Sequence, residues 1–255
     1  MRFVEKVVIV TGGASGIGRS TALAFADEGA SVVIADLNQR ASEDVVRLIR
    51  DRGRAATAVP TDVSQPHDWT RLVGETVRLY GRIDVLFNNA GIEGATAATA
   101  DYPEEAFDRV LAINLKGVWL GMRAVIPRML AQGKGAIVNM SSILGLVGFA
   151  SAAAYTASKH GVLGLTKVAA LEYAAHGIRI NAVCPGFIRT PMVMERGLAH
   201  LPNAREVLAQ VSQLHPVGRF GEPDEVARAV LFLASDEASF LTGAAVPIDG
   251  GYTIR

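Results

Sequence analysis

The chain has 255 residues, 50% of them hydrophobic, with 25 basic and 25 acidic side chains that cancel to a net charge of zero. No basic block marks a nucleic-acid partner. No apolar run reaches membrane-spanning length and the N-terminus leads straight into a strand pattern, so the expectation is a soluble cytoplasmic protein that binds no membrane. The one cysteine, Cys184, excludes an internal disulfide and a multi-cysteine metal site.

Residues 6–10 form a short apolar, β-branched run that reads as a buried strand. Thr11-Gly-Gly-Ala-Ser-Gly-Ile-Gly18 follows at once, and residues 19–29 carry Leu23, Phe25 and Ala26 at helical spacing before closing at Gly29. Strand, glycine turn and helix place backbone N–H groups where a pyrophosphate binds. Residues 31–35 form a second strand ending in Asp36, twenty positions past Gly16. A carboxylate there accepts hydrogen bonds from the adenosine ribose hydroxyls and repels a 2′-phosphate, which favours NAD over NADP. Arg40 is the dissenting residue, and it reads as a solvated charge at a helix start.

Further along, residues 40–52 read as a helix closed by Gly53, residues 55–60 as a strand leading to Asp62, and residues 65–80 as a helix stopped by Gly81. Residues 83–87 form a strand ending at Asn88-Asn-Ala-Gly91, and residues 103–132 contain one long helix around Asn114. A strand over 135–139 delivers Ser142, a helix over 151–176 carries Tyr155 and Lys159, and a strand over 178–183 ends at Pro185-Gly186. Residues 192–215 have no strand partner and read as an inserted helical lid, which begins at about 191. A helix over 222–234 and a strand over 244–248 complete the chain. This alternation, with no linker-like stretch, predicts one α/β domain over residues 1–255: a Rossmann-type doubly wound parallel sheet with helices on both faces.

Tyr155 and Lys159 stand four apart, so on a helix they share a face. An ammonium near a phenol favours the phenolate, and a serine hydroxyl steadies the oxygen that exchanges the proton. That chemistry interconverts an alcohol and a carbonyl. Asn114 sits mid-helix, where asparagine is unfavourable without a reason. The five histidines are scattered without metal-ligand spacing, so no metal is expected. Cys184 reads as a small buried hydrophobe and Glu93 as a solvated loop charge.

Taken together, the glycine turn, Asp62-Val63, Asn88-Asn-Ala-Gly91, Asn114, Ser142, Tyr155-x-x-x-Lys159, Pro185-Gly186 with Thr190, and Asp249-Gly-Gly251 resemble the short-chain dehydrogenase/reductase family over essentially the whole chain. The resemblance implies that Tyr155 is the catalytic acid/base, that Lys159 lowers its pKa and holds the nicotinamide ribose, and that Ser142 hydrogen-bonds the reacting oxygen. It implies that Asn114 orients a water linking Lys159 to solvent. It assigns cofactor contacts to Gly12, Ser15, Gly16, Ile17 and Gly18 in the turn, and to Asp36, Leu37, Asp62 and Val63 after the next two strands. Asn89, Ala90 and Gly91, then Pro185, Gly186, Ile188 and Thr190, complete that set. A homotetramer is implied in the same way.

For the substrate pocket, Ile143, Leu144, Val147 and Phe149 follow the serine, and the lid adds Met192, Val193, Met194, Leu198 and Leu201. Few of these form hydrogen bonds, which disfavours a sugar and suits a small apolar alcohol or ketone. The stretches 141–150 and 185–191 resemble NAD-dependent secondary alcohol dehydrogenases of the family. The alternatives are a 3-oxoacyl thioester reductase, a hydroxysteroid or diol dehydrogenase, and an NAD-sensing binding protein without turnover.

Overall fold

The computed structural model describes residues 1–197 and 203–254. Seven parallel strands form one sheet: β1 (Val7–Thr11), β2 (Ser31–Asp36), β3 (Ala56–Pro60), β4 (Val85–Asn88), β5 (Gly135–Met140), β6 (Ile178–Pro185) and β7 (Ala245–Ile248). Their spatial order is β3-β2-β1-β4-β5-β6-β7. β1 is buried at every position. Because side chains alternate across a strand, Val8 and Val10 enter one core and Val7 and Ile9 the other. A strand covered on both faces has no polar side to show, which is why the sequence reads as an unbroken apolar run.

Helices α1 (Gly16–Asp27), α2 (Gln39–Asp51) and α8 (Pro223–Ala234) cover one face through Phe25, Ile49 and Val230. The other face is covered by α3 (Pro66–Tyr80), α5 (Gly117–Gln132) and α6 (Ala153–Tyr173) through Trp69, Leu72, Val125 and Val162. Burying each such side chain contributes roughly 1.5–3 kcal/mol. Gly81 and Gly177 end α3 and the turn after α6 with φ of 77° and 75°, a conformation glycine adopts without strain.

Two elements differ from the sequence reading. The long helix around Asn114 is two α-helices, α4 (Glu104–Leu111) and α5, joined by a π-helical turn over Ala112–Lys116. The stretch Glu104–Gln132 is 29 residues long and would pass for a membrane span by length and composition alone. Half of its most apolar window is buried in the fold, so that hydropathy serves the core. In the lid, Met192–Gly197 is π-helical and α7 spans Ala204–Gln213. Leu198 and Leu201 lie outside the described residues.

The sheet order reverses direction between β1 and β4, and a ligand crevice forms beyond the strand ends at such a switch point. Thr11, Asp36, Asn88, Met140 and Pro185 are the last residues of five strands that deliver the site.

Candidate active site

A cleft of about 360 Å³ runs along these strand ends. Its floor at one end is the glycine turn. Gly12 has φ of 61°, and a Cβ there would lie 2.9 Å from the Ala90 Cα; at Gly18 a Cβ would lie 2.1 Å from the Gly12 carbonyl. Only glycine lets this turn close. Asn89 locks it by donating from Nδ2 to the carbonyls of Thr11 and Gly12 at 2.9 and 3.1 Å. Ser15 sits at the start of α1 without capping it by its side chain, which leaves the first amides of the helix for an anionic ligand. Gly12, Ser15, Gly16 and Ile17 line the cleft, whereas Gly18 serves the turn behind it.

Asp36 and Leu37 line the cleft beyond β2. The Asp36 carboxylate accepts from Ala14 N–H at 3.1 Å and Asn38 N–H at 2.9 Å, so its position is set by the turn it faces. Asp62 and Val63 line the next stretch, and Asp62 accepts from the Ser64 N–H and hydroxyl at 2.9 and 2.7 Å. Asn89, Ala90 and Gly91 continue the wall from β4, and Pro185, Gly186, Ile188 and Thr190 close it from β6.

Ser142, Tyr155 and Lys159 meet at the other end of the same cleft. Lys159 is 2% exposed; its Nζ donates to the Met140 carbonyl at 2.9 Å and lies 5.4 Å above the Tyr155 ring. Burial pushes the Tyr155 phenol up to about 12, opposed by its hydrogen bond with Ser142 and reinforced by the charge of Glu93. Burial also brings Lys159 down to about 8. The phenol is thus raised rather than lowered: burial dominates, Ser142 alone opposes it, and the Lys159 amine is turned to the Met140 carbonyl. Glu93 is exposed, yet its charge reaches Tyr155, so it is more than a solvated loop charge. Cys184 is fully buried and its thiol is pushed up to about 11 by burial, as a structural cysteine should be.

Asn114 is fully buried in the π turn and does not line the cleft. Its amide holds the backbone of Ile92 and contacts Ser158 Oγ at 3.4 Å. The amide is thus engaged in fixing the loop after Gly91. π turns recur at functional sites because they shift backbone carbonyls off the α-helical ladder.

The substrate-wall residues divide. Met192 and Val193 line the cleft. Ile143 and Leu144 fall in a short 3-10 turn and are buried at 2% and 8% exposure, away from the cleft lining. Phe149 is 46% exposed and packs edge-on against Phe187 at 6.3 Å; neither it nor Met194 is in the lining. Sequence reasoning missed Arg109 and Ile113, which do line it. The signal was available: 109, 113 and 117 share a helical face, and Gly117 abuts Val63, where a Cβ would meet Val63 Cγ2 at 3.0 Å. Among the described residues no group of three His, Cys, Asp or Glu could hold a metal.

A family model described as enoyl-(acyl carrier protein) reductase matches residues 12–253. The chain is 45% identical to cyclohexanol dehydrogenase of Acinetobacter sp. (strain SE19), over all of this chain and 97% of that protein. The chain belongs to the short-chain dehydrogenase/reductase family. It is also 44% identical to a 3-oxoacyl-(acyl-carrier-protein) reductase of Thermotoga maritima, over the full length of both. The crystal structure of levodione reductase matches with a TM-score of 0.95 and 41% identity, covering 98% of each chain. As a member of this family the chain is an oxidoreductase, and the doubly wound parallel sheet read from the sequence is the family's fold.

Proposed function

We propose that this protein interconverts a small apolar secondary alcohol and its ketone with NAD(H). The observation that carries the reading is that Asp36 and the Ser142–Tyr155–Lys159 group line opposite ends of one cleft. The fit to a dinucleotide rests on the glycine turn that no Cβ can enter and on the uncapped start of α1. When bound, NAD(H) would supply the hydride acceptor in oxidation and the hydride donor in reduction.

The chain's own residues do the rest. The Tyr155 phenolate oxygen takes the alcohol proton in oxidation and returns it in reduction. Ser142 hydrogen-bonds the same oxygen pair and favours the phenolate. Lys159, whose pKa burial brings down to about 8, sits beside the Tyr155 ring and exchanges protons with it during turnover. Pro191, Met192 and Val193 offer an apolar wall that excludes water from the reacting carbon. Two of the named relatives, cyclohexanol dehydrogenase and levodione reductase, carry cyclic alcohol or ketone chemistry in their names.

Homotetramer assembly and a cytoplasmic setting belong to the same proposal. An apolar groove between α4–α5 and α6, lined by Leu115, Trp119, Leu165 and Val168, offers a surface for a second copy. Initial rates with cyclohexanol, 1-phenylethanol, a hydroxysteroid and a 3-oxoacyl thioester test the substrate class. Turnover of the small alcohols and their ketones supports the reading; turnover of the thioester alone replaces it with the acyl reductase.

A further inference from the structure

His215 is 2% exposed and takes no part in the proton transfers above. Its Nε2 accepts a hydrogen bond from the Phe187 N–H at 3.1 Å, and its Nδ1 lies 3.3 Å from the Val211 carbonyl. The neutral tautomer with the proton on Nδ1 satisfies both contacts at once. Phe187 and Tyr252 flank the ring at 5.8 and 5.6 Å. The fit extends to Gly186, where a Cβ would lie 2.7 Å from Nε2.

The peptide that His215 grips is the cleft wall after β6. Gly186 N–H donates to the Ile248 carbonyl at 3.1 Å, Gly221 N–H to the Phe187 carbonyl at 3.0 Å, and Arg189 N–H to the Gly221 carbonyl at 2.9 Å. Every one of these bonds is backbone to backbone. Phe187 N–H is the exception, because its acceptor is a side chain that arrives from just past the end of α7. Pro185, Gly186, Ile188 and Thr190, carried on this segment, all line the cleft.

We propose that His215 is a positioning residue: its neutral imidazole, by accepting the Phe187 N–H, holds the Pro185–Thr190 wall in the conformation that receives NAD(H) and couples that wall to the end of the lid helix. The proposal rests on the NAD(H) reading above. Losing the acceptor leaves a partly buried N–H without its partner and shifts the wall away from its receptive conformation, and apparent affinity falls with that population.

The test measures NADH affinity by fluorescence, KM for NAD, kcat and thermal unfolding in His215→Met and His215→Gln. Methionine keeps the bulk and lacks a strong acceptor; glutamine places an amide oxygen near the Nε2 position. The expected result is an about tenfold weaker NADH affinity and higher KM in His215→Met, with a smaller effect on kcat, and recovery to within about twofold in His215→Gln. Unchanged affinity in the methionine variant, or equal impairment in both, overturns the proposal and leaves His215 a plain core residue. Should His215→Met fail to fold, hydrogen exchange at the Phe187 amide of the unmodified protein decides. Saturating NADH slows it about tenfold if the wall and the cofactor are coupled, and an unchanged rate refutes the coupling. Absence of NADH binding to the unmodified protein would overturn the cofactor reading itself, and is seen before any variant is made.

Discussion

Asn114 satisfies both backbone groups of Ile92: its Oδ1 accepts the Ile92 N–H at 2.8 Å and its Nδ2 donates to the Ile92 carbonyl at 2.8 Å. Ile92 lines the cleft and follows Gly91, where a Cβ would crowd Asn114 Oδ1 at 3.2 Å and Lys159 Nζ at 3.7 Å. One side chain on a π turn thus sets the loop beside the amine. Asn114→Ala leaves two backbone groups unpaired and is expected to cost about 2–3 kcal/mol. Urea unfolding reads the loss, and turnover should fall with it; a variant of wild-type stability would show that water replaces the amide.

Burying Lys159 works against folding. Its folded pKa of about 8 lies below the ordinary lysine value of 10.5, so the unfolded chain binds more protons between those limits and stability rises with pH through that window. Below pH 8 the penalty is about 3 kcal/mol. Lys159→Met should therefore fold at least as stably at pH 7 while losing turnover. Tyr155 has the opposite sign: its folded pKa of about 12 lies above 10, so its contribution is complete below pH 10 and is lost as pH rises towards 12. Denaturant midpoints of the parent and Lys159→Met from pH 7 to 10 isolate the lysine, because the tyrosine contribution is constant over that range. A less stable Lys159→Met at pH 7 would mean that the Met140 contact outweighs desolvation.

Asp36 discriminates between cofactors by charge. Asp36→Ser removes the carboxylate that repels a 2′-phosphate and loosens the turn at Ala14 that it anchors. The expected result is a weaker KM for NAD and a ratio of kcat/KM for NAD over NADP that falls by about tenfold or more. An unchanged ratio would show that Asp36 does not set the discrimination.

Val168 is 54% exposed in a groove beside Trp119 and Leu165. Val168→Glu touches no part of the cleft, so a single chain should fold unchanged. If a second copy covers the groove, a buried charge without a partner breaks the assembly. Light scattering then reports a smaller particle than the parent, whereas an unchanged mass places the interface elsewhere.

Much of this site was legible in the sequence because its motifs are backbone devices. A glycine that must close a turn, and an acid at a strand end, keep their meaning without knowledge of what packs around them. The strands were legible for a similar reason, since a run buried on both faces is apolar at every position. What escaped depended on local winding. The π turn at Asn114 has the same residue types as an α-helix, so residues 103–132 read as one helix. The 3-10 turn after Ser142 rotates Ile143 and Leu144 into the core, where spacing from the serine alone aimed them at substrate. The phenol pKa escaped too, because spacing in sequence places Lys159 near Tyr155 but does not show the burial that raises the phenol.

In the proposed reaction Tyr155 exchanges a proton with substrate while NAD(H) occupies the cleft. Because burial raises the phenol, oxidation should speed up as pH rises from 7 towards 10, provided chemistry limits the rate. The most direct test is the initial rate of NADH formation from cyclohexanol at pH 7 to 10 in the parent protein and in Tyr155→Phe, with NADH affinity measured on both. The expected result is a rate in the parent that climbs with pH, a loss of about 1000-fold or more in the phenylalanine variant, and equal NADH binding. Comparable turnover in Tyr155→Phe, or tight NADH binding by a parent that oxidises no alcohol, would contradict it.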